Sequence, residues 1–194
     1  MDKLILASRS PRRCELLSRL GIPFETFAPD VDESCALPAD KAVAELSRRK
    51  ALATASVRPG VFILAADTLV AADGKVLGKP LDYADAARML HLLSGRSHYV
   101  YTGVAVLSPG GKLFSGTDQT SVTFCEIPEG EIREYLNSAE PFDKAGSYAL
   151  QGHASFWVTR LEGSDTSVIG LPLYLVRELL LKAGFPLLEM MKRN

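Results

Sequence analysis

Val61-Phe62-Ile63-Leu64-Ala65-Ala66-Asp67-Thr68-Leu69-Val70-Ala71-Ala72 is the stretch on which the reading of this chain turns. Every residue in it is apolar except Asp67 and Thr68. A run this continuous, rich in branched and small side chains, suits a central strand covered on both faces rather than a half-exposed one. Asp73-Gly74 follows as a hairpin signal, and Lys75 to Leu77 is the returning strand. A carboxylate inside such a strand loses its hydration and needs a metal, a cation or several donors to stay ionised. Two readings of Asp67 are open: an acid hydrogen-bonded to backbone groups, or a functional group. Buried carboxylates are rare and often functional.

Upstream, Ala39 to Val57 has helical periodicity, with Val43, Leu46, Ala53 and Val57 as its inward stripe. Lys50 falls in the gap of that stripe. It reads either as a lysine snorkelling from the edge of the apolar face or as a cation aimed inward. Further upstream, Lys3 to Ala7 is a short buried strand, and Pro23 to Ala28 is another. Between them Ser10 caps, and Pro11 opens, a helix running to about Leu20 and stopped by Gly21. Ser8, Ser10, Arg12 and Arg13 crowd the start of that helix. Acids are the usual choice there, so two arginines make sense if an anion arrives; a solvated basic turn is the alternative. Asp30 to Pro38, carrying Asp32 and Glu33, is an irregular loop.

Downstream, Gly74 to Lys79 superficially resembles a phosphate-binding loop. Its glycines are one residue too close, and Pro80 stands where a Ser or Thr would hold magnesium, so the match fails. Asp82 caps a helix through Leu93, ended by Gly95. His98 to Leu107 and Lys112 to Cys125 read as strands joined at Pro109-Gly110-Gly111. Pro128 to Leu136 is a short helix, Pro141 to Gly152 a loop, Ala154 to Leu161 a strand and Leu171 to Lys182 a closing helix. Hairpins mixed with crossovers predict an α/β (α+β) fold on a mixed sheet. With 194 residues and no linker or repeat, residues 1–194 are expected to be a single domain.

Net charge is −1, so bulk electrostatics give no reason to bind nucleic acid or a membrane. Neither partner is expected. Cys14, Cys35 and Cys125 are odd in number and lack a CxxC, which argues against a disulfide framework or zinc cage and for a reducing, cytoplasmic setting. The apolar run Leu4 to Ala7 is too short for a signal-peptide core. His91, His98 and His153 show no ligand spacing, and Trp157 reads as packing.

Taken together, Ser8-Arg9-Ser10-Pro11-Arg12-Arg13, Val31-Asp32-Glu33, Arg49-Lys50-Ala51, Ala66-Asp67-Thr68, Gly78-Lys79-Pro80, Leu93-Ser94-Gly95, Ala145 to Gly152 and Ile169-Gly170-Leu171-Pro172-Leu173 resemble the signature of the Maf family, in its order and at similar spacing. The resemblance covers essentially the whole chain. It implies a nucleoside triphosphate pyrophosphatase related in fold to inosine triphosphate pyrophosphatases, with a mixed, curved sheet, two lobes around a cleft, a divalent cation (Mg²⁺ or Mn²⁺) and a homodimer. By the same resemblance Asp67 is the general base, and Ser8, Arg13, Lys50 and Lys79 contact phosphate, with Lys50 and Lys79 counted as catalytic alongside Asp67. Glu33 stands near the metal, with Asp67 a possible second ligand. Arg12, Thr68 and Gln151 match the branch that resembles dTTP/UTP pyrophosphatases; the branch acting on 7-methyl-GTP has Trp, Gln and Glu there. Gln151, with an amide donor and acceptor, suits a pyrimidine edge. The competing expectations are a pyrophosphatase for 7-methyl-GTP or non-standard nucleotides and, from another class, a non-catalytic regulator of septum formation and cell division.

Overall fold

A computed structural model describes residues 3–138 and 140–191. Among these residues the strands are β1 (Leu4–Ala7), β2 (Phe24–Phe27), β3 (Phe62–Ala72), β4 (Lys75–Leu77), β5 (Ser97–Leu107), β6 (Leu113–Phe124) and β7 (Val158–Glu162). The helices are α1 (Pro11–Ser18), α2 (Ala39–Val57), α3 (Tyr83–Leu93), α4 (Glu129–Leu136), α5 (Asp165–Ile169), α6 (Leu173–Lys182) and α7 (Leu187–Met191). The strands form one sheet in the order β2-β1-β3-β5-β6-β7, with β4 paired to β3. β1 runs parallel to both β2 and β3, whereas β3–β4 and β6–β7 are antiparallel. The sheet is therefore mixed. Parallel neighbours cannot be joined by a tight turn, and α1 and α2 are the crossovers that connect them. The two-residue loop at Asp73-Gly74 has positive φ at both positions, 48° and 73°, the conformation that matches the twist of a hairpin.

The chain divides into two compact units. The first comprises Met1–Asp67, Thr102–Asp118 and Gly170–Asn194; the second comprises Thr68–Tyr101 and Gln119–Ile169. In the first, Ile5, Ala7, Ile63, Ala65, Ala105 and Leu107 form an apolar cluster with Ala51 of α2. The odd-numbered face of β3 thus lies under α2. Gly103 of β5 sets how closely that helix approaches, since a Cβ there would lie 2.2 Å from the carbonyl oxygen of Val43. Only glycine admits the helix backbone this near to the strand. In the second unit, Val70, Leu77, Leu90, Phe124, Tyr135, Tyr148 and Trp157 belong to another buried cluster.

Most expected elements appear within a residue or two. The inward face of α2 differs. Val57 is 60% exposed, and the buried stripe passes through Ala51 and Thr54 instead of Ala53 and Val57. The strand expected from Ala154 begins only at Val158, because His153–Trp157 forms a 3₁₀ turn. That turn places the Trp157 ring against Tyr135 and lets its indole N–H donate to Glu131 Oε2 at 2.7 Å, which an extended segment would not do. The short helices α5 and α7 carried no periodic signal.

Candidate active site

Asp67 is the last residue of the first unit on β3 and is 8% exposed. Strand alternation puts it on the face that Ile63 and Ala65 turn toward α2. There the ammonium of Lys50 donates to Asp67 Oδ1 at 2.5 Å. The same Nζ lies 2.7 Å from Glu33 Oε1. The Lys50 side chain is 12% exposed and that of Glu33 61%, so one lysine joins a buried carboxylate to a carboxylate open to solvent. The buried charge that the sequence flagged therefore has a cationic partner, which meets the cost of its desolvation.

Glu33 is held in place from α2 as well. Arg49 donates through Nη1 to the carbonyl oxygens of Asp32 at 3.2 Å and Ser34 at 3.1 Å, and through Nε to Glu45 at 2.9 Å. Asp32 in turn accepts from the Ser34 backbone N–H at 2.8 Å and the Ser34 hydroxyl at 2.7 Å, bonds that lower the Asp32 pKa. The loop is thus fixed on both sides of Glu33.

At the N-terminus of α1, Ser10 accepts from the Arg13 N–H at 3.4 Å and Pro11 occupies the first turn. Ser8 Oγ accepts from the Ser10 N–H at 3.1 Å and from Arg13 Nη1 at 3.4 Å. Arg13 Nε donates to the Gly170 carbonyl oxygen at 2.7 Å, tying the helix start to the segment before α6. Burial lowers the pKa of this guanidinium; the charges of Asp67 and Glu33 act in the opposite direction. Ser8, Arg13, Glu33, Lys50 and Asp67 are therefore one connected group within the first unit, and the Arg12 charge also acts on Arg13. Basic groups at a helix N-terminus beside a lysine-bound carboxylate pair suit a phosphate that arrives with its own cation.

Among the described residues, no group of three or more His, Cys, Asp or Glu is placed to hold a metal ion. Two carboxylates, Asp67 and Glu33, do meet a single cationic atom. Mg²⁺ is commonly bound by one or two carboxylates together with substrate phosphates rather than by a cage of protein ligands. The donor chemistry fits such an ion.

Thr68, Lys79 and Gln151 belong to the second unit. Lys79 and Gln151 are exposed and Thr68 is partly exposed. Their segments are pinned together. The Gly146 N–H donates to the carbonyl oxygen of Gly78, next to Lys79, at 3.0 Å. Gly146 has φ of 71°, and a Cβ on it would press on Val70 at 3.0 to 3.1 Å, two residues along β3 from Thr68. The segment Ala145 to Gly152 is anchored once more where the Tyr148 hydroxyl meets His98 Nε2 at 2.8 Å in the interior.

A family model described as Maf-like protein matches residues 3–183. The chain belongs to the Maf family. It is 45% identical over 190 residues to a protein of Symbiobacterium thermophilum named dTTP/UTP pyrophosphatase, covering 96% of this chain and 97% of that one. Proteins of the same name from Myxococcus xanthus and Moorella thermoacetica are each 48% identical, covering 95% and 93% of this chain and 94% of each relative. Among solved structures, the Ham1 protein of Staphylococcus aureus shares the fold, with a TM-score of 0.56 at 12% identity over 93% of this chain and 99% of that one. In this Maf protein the family motifs fall at the start of α1 (Ser8 to Arg13), on the loop before α2 (Val31 to Glu33), within α2 (Arg49 to Ala51), within β3 (Ala66 to Thr68) and on the segments Gly78 to Pro80 and Ala145 to Gly152.

Sequence reasoning overlooked Gly103, although a glycine inside an apolar strand is a known sign of close backbone approach. It also overlooked Tyr135 and Glu140, whose contacts with the Gln151 segment have no local signature.

Proposed function

We propose that the protein hydrolyses dTTP and UTP to the monophosphate and pyrophosphate. Relatives at 45 to 48% identity over nearly the whole chain carry that activity in their names. The observation that carries the reading at the site is the buried Asp67 carboxylate bound to Lys50 in a group that also contains Glu33 and Arg13.

In this proposal a water oxygen attacks the α-phosphorus, the bond to the bridging oxygen of the β-phosphate breaks, and pyrophosphate leaves. Asp67 orients the water and takes its proton. Arg13 and Lys79 hold phosphate oxygens, and Ser8 adds a neutral hydroxyl. Lys50 is shared between its carboxylates and the arriving triphosphate, so its ammonium turns from Asp67 toward phosphate as the substrate binds. Asp67 and Glu33 would hold a divalent cation, which when bound offsets carboxylate–phosphate repulsion and polarises a phosphoryl oxygen. Arg12, Thr68 and Gln151 contact the base. The same proposal includes a single catalytic domain, a homodimer and a cytoplasmic location. The first rests on the chain's length and the lack of a linker, the second on the family resemblance, and the last is supported by three free cysteines.

Product analysis of the purified protein with a nucleotide panel, with and without Mg²⁺ or Mn²⁺, tests the proposal. Metal-dependent release of pyrophosphate from dTTP and UTP is expected. Asp67→Asn is expected to keep the melting profile and lower turnover by about 100-fold or more. Release of orthophosphate, turnover confined to 7-methyl-GTP, or full activity of Asp67→Asn would each overturn it.

A further inference from the structure

Gln151 sits on a turn closed by the Gly152 N–H donating to the Ala149 carbonyl oxygen at 3.1 Å. Both ends of that turn touch the same pair of side chains. At one end the Ala149 backbone N–H faces the Tyr135 phenol group, where its dipole counters part of the rise in that group's pKa. At the other, the Glu140 carboxylate lies directly on the Gly152 Cα: a Cβ there would fall 1.9 Å from Glu140 Oε1 and 2.3 Å from Cδ. The two side chains are joined, because the Tyr135 hydroxyl donates to Glu140 Oε1 at 3.0 Å. Burial and the Glu140 charge raise the Tyr135 pKa, which keeps the hydroxyl protonated and donating.

The pair is itself held rigidly. Tyr135 is 5% exposed on α4, its ring 5.0 Å from that of Trp157. Glu140 donates its backbone N–H to Ser138 Oγ at 3.3 Å, and Lys144 Nζ donates to the Glu140 carbonyl oxygen at 2.5 Å. His153 Nδ1 stands 3.4 Å from Glu140 Oε2. Burying a carboxylate this far, at 21% side-chain exposure, to face a glycine Cα gains nothing in packing that an apolar residue would not give. Fixing the turn accounts for it.

We infer that Tyr135 and Glu140 are positioning residues that clamp the turn bearing Gln151 and thereby set selectivity for the base. The inference rests on the proposed contact of Gln151 with a pyrimidine. Without the clamp the turn is free to sample other conformations, so the Gln151 amide is presented to the base only part of the time. The cost falls on binding and on discrimination between bases, while the phosphate chemistry is untouched.

The test is a double-mutant cycle on kcat and KM for dTTP, UTP and purine triphosphates, with melting curves for every variant. Tyr135→Phe keeps the ring and removes the hydroxyl. Its expected result is a KM for dTTP raised by roughly 10-fold with kcat within about 2-fold, the size of one lost hydrogen bond, and a matching loss of preference over purines. Gln151→Ala is expected to relax the preference at least as far, and Tyr135→Phe in that background to add almost nothing. Glu140→Gln, which retains an acceptor for Tyr135, is expected to stay near wild type, whereas Glu140→Ala behaves like Tyr135→Phe. Gly152→Ala, which displaces the Glu140 carboxylate, gives an independent check if Tyr135→Phe fails to fold. Additive losses in the cycle, or unchanged selectivity in Tyr135→Phe and Gly152→Ala while Gln151→Ala relaxes it, overturn the clamp alone. Unchanged selectivity in Gln151→Ala overturns the base contact and the clamp with it.

Discussion

Lys50 Nζ lies 2.5 Å from Asp67 Oδ1 and 2.7 Å from Glu33 Oε1, so a single ammonium on α2 neutralises a buried carboxylate on β3 and meets an exposed one on the loop between β2 and α2. Removing the lysine leaves Asp67 charged in a site that is 8% exposed. Lys50→Met is expected to cost about 3 kcal/mol of stability in denaturant melts. Adding Asp67→Asn in the same chain is expected to recover most of that loss, since the uncompensated charge disappears. Equal destabilisation of the single and double variants would show that the pair is not what holds the site.

His98 supplies a pH dependence. Its imidazole is 1% exposed, packed edge-on against Phe124 and Tyr148, and burial lowers its pKa from 6.5 to about 4. A histidine depressed in the folded state stabilises the fold above its unfolded pKa and loses that contribution as the pH falls through the window from 6.5 to about 4. Between pH 7 and pH 5 the loss is about 2 kcal/mol. His98→Gln is expected to be less stable at pH 7 yet to lose correspondingly less on acidification, as read from melts at both pH values. Parallel pH profiles for the two proteins would remove His98 from this role.

Gly103 is predicted to be among the least replaceable residues of the first unit. An alanine Cβ would meet the Val43 carbonyl oxygen at 2.2 Å and the Ala44 nitrogen at 2.8 Å, both backbone atoms that cannot rotate away. Gly103→Ala is expected to cost at least about 2 kcal/mol and to lower turnover, because Lys50 rides on the same helix two turns further on. Gly116→Ala is the control. Its Cβ meets a Leu175 methyl at 2.9 Å, which can shift, so its effect should be small.

Asp67 and Lys50 were legible in the sequence because each broke a pattern, an apolar strand in one case and an amphipathic stripe in the other. The stripe itself was misdrawn toward Val57. The inward face of α2 runs through Val43, Leu46, Ala51 and Thr54, and Ala51 packs on Ile63 and Ala65, which turns Val57 outward. The strand expected from Ala154 fails at Trp157, where one indole hydrogen bond and a ring contact outweigh local β propensity. Glu140 breaks no pattern in the sequence. Its burial against Gly152 depends on the return of a segment that carries no periodic pattern, and no local spacing encodes it.

The neighbouring side chains of Arg49 and Lys50 divide their labour by shape. The forked guanidinium spans two carbonyl oxygens and Glu45, while the compact ammonium fits between two carboxylates. Exchanging the two would leave composition, net charge and isoelectric point untouched, yet it would put a wide planar group where a point charge belongs. The order of this dipeptide is thus a piece of information that no tally of charges can register.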